Sequence, residues 1–399
     1  MVNNKENKGS LLSSLTENTR QYGIVGALIV IIIVFQILTG GLLLQPNTVV
    51  QLVQQNAYVV ILAIGMVMVI VATHIDLSVG SLVGFIGGIV ALLMQDMHFN
   101  WFLSILIGLL IGIIIGIWQG IWVAFVGIPG FITTLAGMLI FRGLATTMIN
   151  ASIPVNNSSF NAIAANYFPN IFGFWGPFDG LSIVVGLLCI AAFAWITFRK
   201  RNQAYKVGLD VEPLSASYTK IVIAAVIILA LTYEFASSGN DTQGGIPIML
   251  VIVGVLVLIY NFILTRTVFG RHVYAVGGNR RAAMLSGINT KRVDFSLFVH
   301  MGFLSGVAAI AMLSRLSSAS ASTGTSFEMD AIAACFVGGT AVTGGIGTVP
   351  GVVIGAAVIG VINQGLSIMG VDSALIQSIK GLVLLLAVAI DIFSKRKKS

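Results

Sequence analysis

Residues 101–125 read WFLSILIGLLIGIIIGIWQGIWVAF, a run without a single charged side chain. A helix of about 20 apolar residues is long enough to cross the hydrocarbon core of a bilayer. Water does not reach that core, so the backbone there has to satisfy its own hydrogen bonds, as a helix does. The run therefore predicts a transmembrane helix.

The whole chain has the same apolar character. Its 399 residues are 57% hydrophobic and 9% charged, whereas a soluble domain carries about 25% charged residues. A soluble all-α core would need polar helix faces, which these runs lack. Cys189 and Cys335 both lie inside apolar runs, which is typical of small packing residues and not of a disulfide framework or metal site.

The 45 glycines form stripes within several apolar runs. Gly108, Gly112, Gly116 and Gly120 recur at every fourth position and share one helix face. Shorter stripes are Gly80, Gly84 and Gly88, and Gly351 and Gly355. Small residues at this spacing let membrane helices approach closely, so each stripe predicts tight helix packing.

Apolar runs elsewhere in the chain extend the prediction to an all-α polytopic membrane protein with about 12 spans. They lie at about residues 22–44, 56–73, 78–95, 101–125, 131–149, 180–198, 220–236, 247–265, 294–313, 329–342, 350–369 and 373–391. The first run is too long for the core of a signal peptide and is expected to remain as a helix. The tenth is short for a full crossing and is predicted to be a half-helix.

The basic residues predict the orientation of these spans. With the amino terminus inside, 18 of the 21 lysines and arginines fall in inner segments, and only Arg142, Arg315 and Lys380 do not. The positive-inside rule then places both termini in the cytoplasm. We expect a cytoplasmic tail at 1–21, a single transmembrane domain at 22–393 and a basic cytoplasmic tail at 394–399. Because the charge is spread over inner loops, the net charge of +7 does not indicate nucleic-acid binding.

Residues 60–88 and 332–360 resemble each other. Both run from an apolar stretch through a polar or glycine-rich break into a glycine-striped helix. Transporters often contain such repeats, with binding sites at the interrupted helices. Coincidence in a sequence so rich in Ala, Gly and Val is the open alternative.

The first break, residues 73–81, reads THIDLSVGS. Asp76 and Ser78 can cap the third span by accepting bonds from its free amides. The alternative is that Asp76, Ser78 and Ser81 face an aqueous cavity, where a carboxylate and hydroxyls can meet the hydroxyls of a sugar. Both interpretations are open at this point.

A second polar segment runs from Arg315 to Asp330. Glu328 and Asp330 stand before an apolar run and favour a helix start there. Arg315 is expected to have an acidic partner, and these two carboxylates are the nearest in sequence. The open alternatives are a structural ion pair and recognition of a docking protein or substrate.

The third segment, GGTAVTGGIG at 338–347, contains Thr340. It lacks the Gly-Lys-Ser/Thr of a phosphate-binding loop and follows no strand, so the phosphate-cradling geometry is missing. We interpret it as an unwound connection. The chain therefore has no ATP-hydrolysing machinery of its own.

The fourth segment is the inner loop 267–288, which mixes arginines with Tyr274, Met284, Leu285 and Ile288. A helix over 281–288, ended by Gly287, is predicted to be an amphipathic docking element for a cytoplasmic partner. Positive-inside anchoring alone would explain the arginines but not the apolar residues among them. The candidate docking residues are Gly270, Arg271, Tyr274, Gly277, Gly278, Asn279, Ala282, Ser286 and Gly287.

These segments together resemble the permease subunits of ribose- and xylose-type ATP-binding-cassette importers. The matching stretches are IDLSVGS at 75–81, TLAGMLIFRG at 134–143, GRHVYAVGGNRRAAMLSGIN at 270–289, RLSSASASTGTSFEMDAIAA at 315–334, GGTAVTGGIG at 338–347 and INQGLSIMGV at 362–371. The additional spans at about 180–236 are similar to those of the longer xylose or multiple-monosaccharide branch. His74 and Ala321 depart from the Gly and Pro that the family often has.

The resemblance implies a bacterial inner-membrane subunit that carries a monosaccharide and is not itself an enzyme. The implied partners are a cytoplasmic ATPase that uses ATP and Mg, an external sugar-binding protein, membrane lipid, and a second permease copy in a homodimer or related pair. No cofactor is expected on this chain. The candidate residues for the substrate path or for docking of the binding protein are Asp76, Ser78, Ser81, Arg315, Glu328, Asp330, Thr340 and Asn363.

Two other classes of function remain as alternatives. A proton-coupled secondary sugar transporter often has twelve spans, but it normally uses ionisable residues within the bundle, and here only Asp76, Arg142 and Glu234 come near such positions. A membrane-embedded enzyme would need a metal motif or a nucleophile–base set, and the sequence presents neither.

Overall fold

The computed structural model describes residues 19–208, 211, 213–239 and 244–396. Predictions for residues 1–18 and for the last three residues of the basic tail, 397–399, fall outside this range. In the described part, the α-helices are α1 Thr19–Leu38, α2 Pro46–Val71, α3 Val79–Gln95, α4 Trp101–Ile121, α5 Gly130–Met148, α6 Ser158–Ala165, α7 Gly180–Lys206, α8 Leu214–Ala236, α9 Ile248–Arg266, α10 Val268–Gly278, α11 Arg280–Leu285, α12 Thr290–Leu316, α13 Phe327–Val337, α14 Val349–Ile368 and α15 Ser373–Arg396. A π-helical turn, Trp122–Val126, continues α4.

Every predicted span contains a helix, and the all-α polytopic prediction is confirmed. Eight helices of the described chain are long and apolar enough to cross a membrane, and shorter apolar helices lie at Gly23–Leu38, Val79–Gln95 and Ser373–Ala389. The tenth predicted span is α13, which has only 11 residues. At about 1.5 Å per residue it covers roughly half of the hydrocarbon core, which confirms the half-helix.

The strands of the described chain are only two residues long. Strand β1, Ile153–Pro154, pairs antiparallel with β4, Ser318–Ala319. A second two-residue pair joins β2, Phe174–Trp175, to β3, Phe178–Asp179. The first pair ties the chain after α5 to the chain after α12.

The smaller of two compact units includes Leu44–Val50 and Tyr167–Ile246. It contains α7 and α8, which are the predicted additional pair of spans. These helices contact each other at Gly186, where an added Cβ would collide with the side chain of Thr232. Asp179 begins α7 by accepting bonds from the amide and the hydroxyl of Ser182, at 2.7 and 2.6 Å.

The larger unit consists of Ala27–Leu43, Gln51–Asn166 and Pro247–Ser399. Its glycine stripe on α4 packs against α12: an added Cβ on Gly112 would collide with the carbonyl of Gly302, and one on Gly116 with that of Phe298. Backbones can approach this closely only where both helices present small residues. The packing prediction for this stripe is confirmed.

Candidate functional site

The first polar break, residues 72–78, connects α2 to α3 and is buried around Asp76. Asp76 Oδ1 accepts hydrogen bonds from the amide of Ser78 at 2.8 Å and from its hydroxyl at 2.6 Å. Ser78 immediately precedes α3, and its side chain does not cap that helix. Capping by the Ser78 side chain is therefore not observed, and the Asp76 carboxylate closes a local turn by accepting from the amide of Ser78, the residue before α3.

Side chains from two neighbouring helices hold this break in place. Gln119 of α4 donates from Nε2 to the Ser78 hydroxyl at 2.7 Å. Thr134 of α5 accepts from the amide of Leu77 at 3.1 Å. Ser81, on the first turn of α3, donates to the carbonyl of Ser78 at 2.7 Å. The result is a buried polar network inside an apolar bundle.

The start of α13 lies against the start of α3. After α12 ends at Leu316, residues 317–326 return to Gly80, where an added Cβ would collide with the Gly324 carbonyl and with Glu328 Oε2. Gly324 adopts φ +78°, a left-handed conformation that suits glycine. Two helix amino termini therefore meet beside a buried carboxylate, which is the arrangement found at binding sites formed by interrupted helices.

Arg142 of α5 attaches the returning segment. Its Nη1 donates to the carbonyls of Ala321 and Thr323, both at 2.9 Å, and its charge interacts with that of Glu328. The predicted residues Asp76, Ser78, Ser81 and Glu328 thus lie together. Gln119 and Arg142 join them although neither was predicted as a site residue, and the signal that could have identified them was a polar side chain inside an apolar span.

Asp330 has other partners than the one predicted. Its Oδ1 lies 2.7 Å from Nζ of Lys380 on α15, and its Oδ2 accepts from the hydroxyl of Tyr58 on α2 at 2.7 Å. The ring of Tyr58 stacks on Phe327 with centroids 3.7 Å apart. These contacts attach the half-helix α13 to two other helices.

The predicted pairing of Arg315 with Glu328 or Asp330 is wrong. Arg315 Nη1 instead lies 3.5 Å from Oε1 of Gln54. The reason is the path of the chain, because residues 317–326 turn away from the end of α12 before α13 begins. Arg315 is therefore close to Glu328 and Asp330 in sequence but does not pair with either of them in the fold.

Among the described residues, no side-chain hydrogen bond joins Thr340 Oγ1 or Asn363 Oδ1 to the Asp76 network. Thr340 is buried within the connection 338–348, next to Gly347. Asn363 is half-buried on α14, and its Oδ1 lacks a partner within the described chain. In that same part of the chain, no three His, Cys, Asp or Glu side chains are grouped so that they could hold a metal ion.

The predicted inner loop folds as the α10–α11 hairpin, residues 268–285, and contacts both interrupted segments. Gly277 packs on the carbonyl of Val71, at the end of α2, and near Gly345. The amide of Gly345 donates to the same Val71 carbonyl at 2.9 Å. Tyr274 donates its hydroxyl to the carbonyl of Gly347 at 2.6 Å, and burial raises the pKa of this phenol. The hairpin, the Asp76 break and the connection 338–348 are therefore in direct contact.

An ion pair between the half-buried Arg280 and the buried Asp294 adds a second link between the hairpin and the Asp76 break. Arg280, the first residue of α11, binds both carboxylate oxygens of Asp294 at 2.7–2.8 Å. His74 lies 3.1 Å from the same carboxylate and 3.2 Å from Arg280. His74 belongs to the break that also carries Asp76, so the guanidinium connects α11, α12 and this break.

The tip of the hairpin is exposed. Asn279 caps α11 by accepting from the amide of Ala282 at 3.0 Å, and the helix ends before Gly287, which has φ +84°. The observed Arg280–Leu285 is shorter than the predicted helix over 281–288. Leu285 is 91% exposed and Met284 51% exposed, which leaves an apolar tip that no described part of the chain covers. The exposed predicted residues at this end are Arg271, Gly278, Asn279, Ala282, Ser286 and Gly287, whereas Gly270 and Gly277 are buried and Tyr274 is half-buried.

Comparisons with known proteins were made over the whole sequence. The family described as branched-chain amino acid transport system / permease component matches residues 48–201 and 180–388. The chain is 37% identical to the xylose transport system permease protein of Escherichia coli (strain K12) over 383 residues, covering 95% of this chain and 93% of that protein. The corresponding protein of Haemophilus influenzae is 38% identical over 95% and 98% of the two chains.

A ribose relative is more distant. The ribose import permease protein of Escherichia coli (strain K12) is 31% identical over 345 residues, covering 86% of this chain and 85% of that protein. No solved structure matches the chain.

Proposed function

The chain belongs to the family of permease components of branched-chain amino acid transport systems, and from that premise we propose that it is the membrane-spanning permease of an ATP-binding-cassette sugar importer. Identity of 37% over 95% of the chain to a xylose transport system permease supports a pentose or similar monosaccharide as the substrate. The chain is a multi-pass protein of the bacterial inner membrane and is not an enzyme. Hydrolysis of ATP, with its Mg ion, belongs to a separate cytoplasmic ATPase, and this chain binds no cofactor of its own.

The observation that carries the mechanism is the position of the α10–α11 hairpin. Its exposed apolar tip, Met284 and Leu285, is available to the ATPase, while its inner face contacts Val71 and Gly345. Movement of the ATPase would thus reach the Asp76 break and the connection 338–348 through packed backbone. ATP can drive transport only if it favours one of two arrangements of such an element.

The substrate path runs where the starts of α3 and α13 meet. Asp76, Ser78, Ser81 and Glu328 offer carboxylates and hydroxyls to sugar hydroxyl groups. Thr340 and Asn363 line other parts of the same path, and Arg315 and Asp330 contribute to docking of the external binding protein or to the path near it. A second copy of the chain completes the importer as a homodimer in the lipid bilayer.

A charge placed on the hairpin tip tests the docking surface. Nothing lies within 4 Å of an added Cβ on Gly278, and Ala282 is exposed, so Gly278→Glu and Ala282→Glu should not disturb the fold of the chain. We expect both variants to insert normally, to lose most ATPase copurification and to fall at least tenfold in ATP-driven sugar uptake in reconstituted vesicles. A buried carboxylate at a tight interface costs more than the ~1.4 kcal/mol that a tenfold loss requires.

Ala151→Glu is the matched control, because Ala151 is an exposed alanine outside the hairpin. This variant should keep ATPase copurification at the wild-type level. Wild-type uptake by the two hairpin variants would reject the docking surface. Uptake that survives ATP depletion but stops when the proton gradient is dissipated would favour the proton-coupled secondary transporter instead.

A further inference from the structure

Among the described side chains of the larger unit, three aspartates are buried, and two of them face a cation. Asp294 is held by Arg280 at 2.7 Å. Asp330 is held by Lys380 at 2.7 Å and also accepts from Tyr58. Buried carboxylates are ordinarily paired in this way, because removal of a lone charge from water is costly. Asp76 is the exception, since no basic side chain forms an ion pair with it among the described residues.

The second carboxylate oxygen of Asp76 has nothing to bind. The residue is 0% exposed, Oδ1 takes both bonds from Ser78, and Oδ2 is buried without a partner within the described chain. Gln119 Oε1 and Glu328 Oε2 are buried acceptors in the same condition. The polar network around Asp76 therefore has more hydrogen-bond acceptors than donors. A proton bound to one of the carboxylates would supply a missing donor.

The groups that face Asp76 from the surrounding elements do not supply a positive charge. Gln119 of α4 and Thr134 of α5 are neutral, and Glu328 of α13 carries a like charge that interacts with Asp76. Arg142 is bound to the Ala321 and Thr323 carbonyls and faces Glu328. His74, two residues away, faces Asp294 and Arg280. Arg142 therefore compensates the charge of Glu328 and leaves the charge of Asp76 uncompensated.

We propose that Asp76 is a proton-binding site, whose carboxyl group takes up a proton on Oδ2 at a pH where exposed aspartates stay ionised. The bound proton removes an uncompensated charge from the centre of the unit and turns an orphan acceptor into a donor. This donor lies where the starts of α3 and α13 meet. The site follows from the contacts of this chain alone, and its existence does not depend on which solute is transported.

Infrared spectroscopy of the purified chain in lipid nanodiscs tests the proposal without sugar, ATPase or sodium ions. A protonated carboxylic acid gives a carbonyl stretching band that an ionised carboxylate lacks and that shifts in D2O. We expect this band in the wild type at pH about 5, and its loss only as the pH rises well above the value near 4 at which an exposed aspartate titrates. The other carboxyl groups contribute to both spectra, so the wild-type minus Asp76→Asn difference spectrum should contain this band.

Asp330→Asn is the matched control, because it removes a buried carboxylate that already has a cationic partner, Lys380, and this variant should keep the band. Spectra of the wild type and Asp76→Asn that coincide over the whole pH range would overturn the proposal, as would a band that disappears already near pH 4. The same wild-type titration repeated with added NaCl distinguishes a proton from a sodium ion: a band that vanishes with sodium at pH 5 would mean that the site prefers the metal ion.

The pH dependence of thermal unfolding is a second, independent test of proton binding at Asp76. If the folded chain holds the proton more tightly than the unfolded chain, wild-type stability falls as the pH rises above about 4 and levels off once Asp76 is ionised in the fold. Asp76→Asn, which has nearly the shape of the neutral acid, should lack that fall and should unfold at a higher temperature than the wild type at pH 8. A melting temperature that drops as far in Asp76→Asn as in Asp330→Asn would contradict the proposal.

Discussion

Gly277 and Gly278 are neighbours in sequence with opposite surroundings. An added Cβ on Gly277 would collide with the carbonyl of Val71, whereas nothing lies within 4 Å of one on Gly278. The backbone of α2 cannot move aside as a flexible side chain can. Gly277 is therefore needed for the contact between the α10–α11 hairpin and α2.

Alanine at these two positions should separate internal packing from docking. We expect Gly277→Ala to lower the free energy of unfolding by about 1–3 kcal/mol, the usual cost of overpacking, and to reduce ATP-driven uptake. Gly278→Ala should leave stability unchanged or slightly raised, because alanine is the better helix former. Thermal unfolding of the purified variants is the measurement, and equal losses in both would show that the close approach at Gly277 is not required.

The half-helix α13 depends on side chains from other helices. Its 11 residues are too few to span the bilayer, and an isolated helix of that length is marginal. Asp330 fixes it to α15 through Lys380 and to α2 through Tyr58. Lys380 lies among apolar residues of α15, and its ion pair with Asp330 is a polar attachment between these two helices.

Replacing only Lys380 should lower the free energy of unfolding more than replacing Lys380 and Asp330 together. Lys380→Met leaves Asp330 buried beside a single hydroxyl, and we expect a loss of about 3–5 kcal/mol in the free energy of unfolding. The double variant Lys380→Met with Asp330→Asn has no uncompensated charge and should regain most of that loss. A double-mutant cycle by thermal or denaturant unfolding measures the coupling. Additive losses would mean that the two side chains do not stabilise each other.

Sequence patterns located the helices but not the partners of their polar residues. Apolar runs predicted twelve of the fifteen α-helices that the structure describes, because a backbone in lipid satisfies its hydrogen bonds by forming a helix. The break at Asp76 and the connection at Thr340 were recognisable from polar residues and glycines between such runs. The contacts of Arg315 and Asp330 were not, since they depend on where residues 317–326 return, and no local pattern encodes that path.

The larger unit contains two interrupted stretches that meet at one end. The segment from α2 to α3 and the segment from α13 to α14 join through the bond from the Gly345 amide to the Val71 carbonyl, and the hairpin covers this junction. The similarity between residues 60–88 and 332–360 thus corresponds to two breaks in contact. The two breaks thus lie at the proposed substrate path and also contact the hairpin proposed to bind the ATPase. The same few residues can therefore take part both in transport and in its coupling to ATP hydrolysis.

Orientation in the membrane decides whether a cytoplasmic ATPase can reach that junction. Two single cysteines test it in a Cys189→Ser background, where the remaining native thiol, Cys335, is buried. Leu285→Cys stands on the exposed hairpin tip, and Ser152→Cys lies in the exposed segment after α5. The distribution of basic residues predicts that a membrane-impermeant thiol reagent modifies Leu285→Cys in inverted vesicles only and Ser152→Cys in intact spheroplasts only. Modification of Leu285→Cys from the outer face would put the hairpin beyond the reach of any cytoplasmic partner and would refute ATP-driven import through this surface.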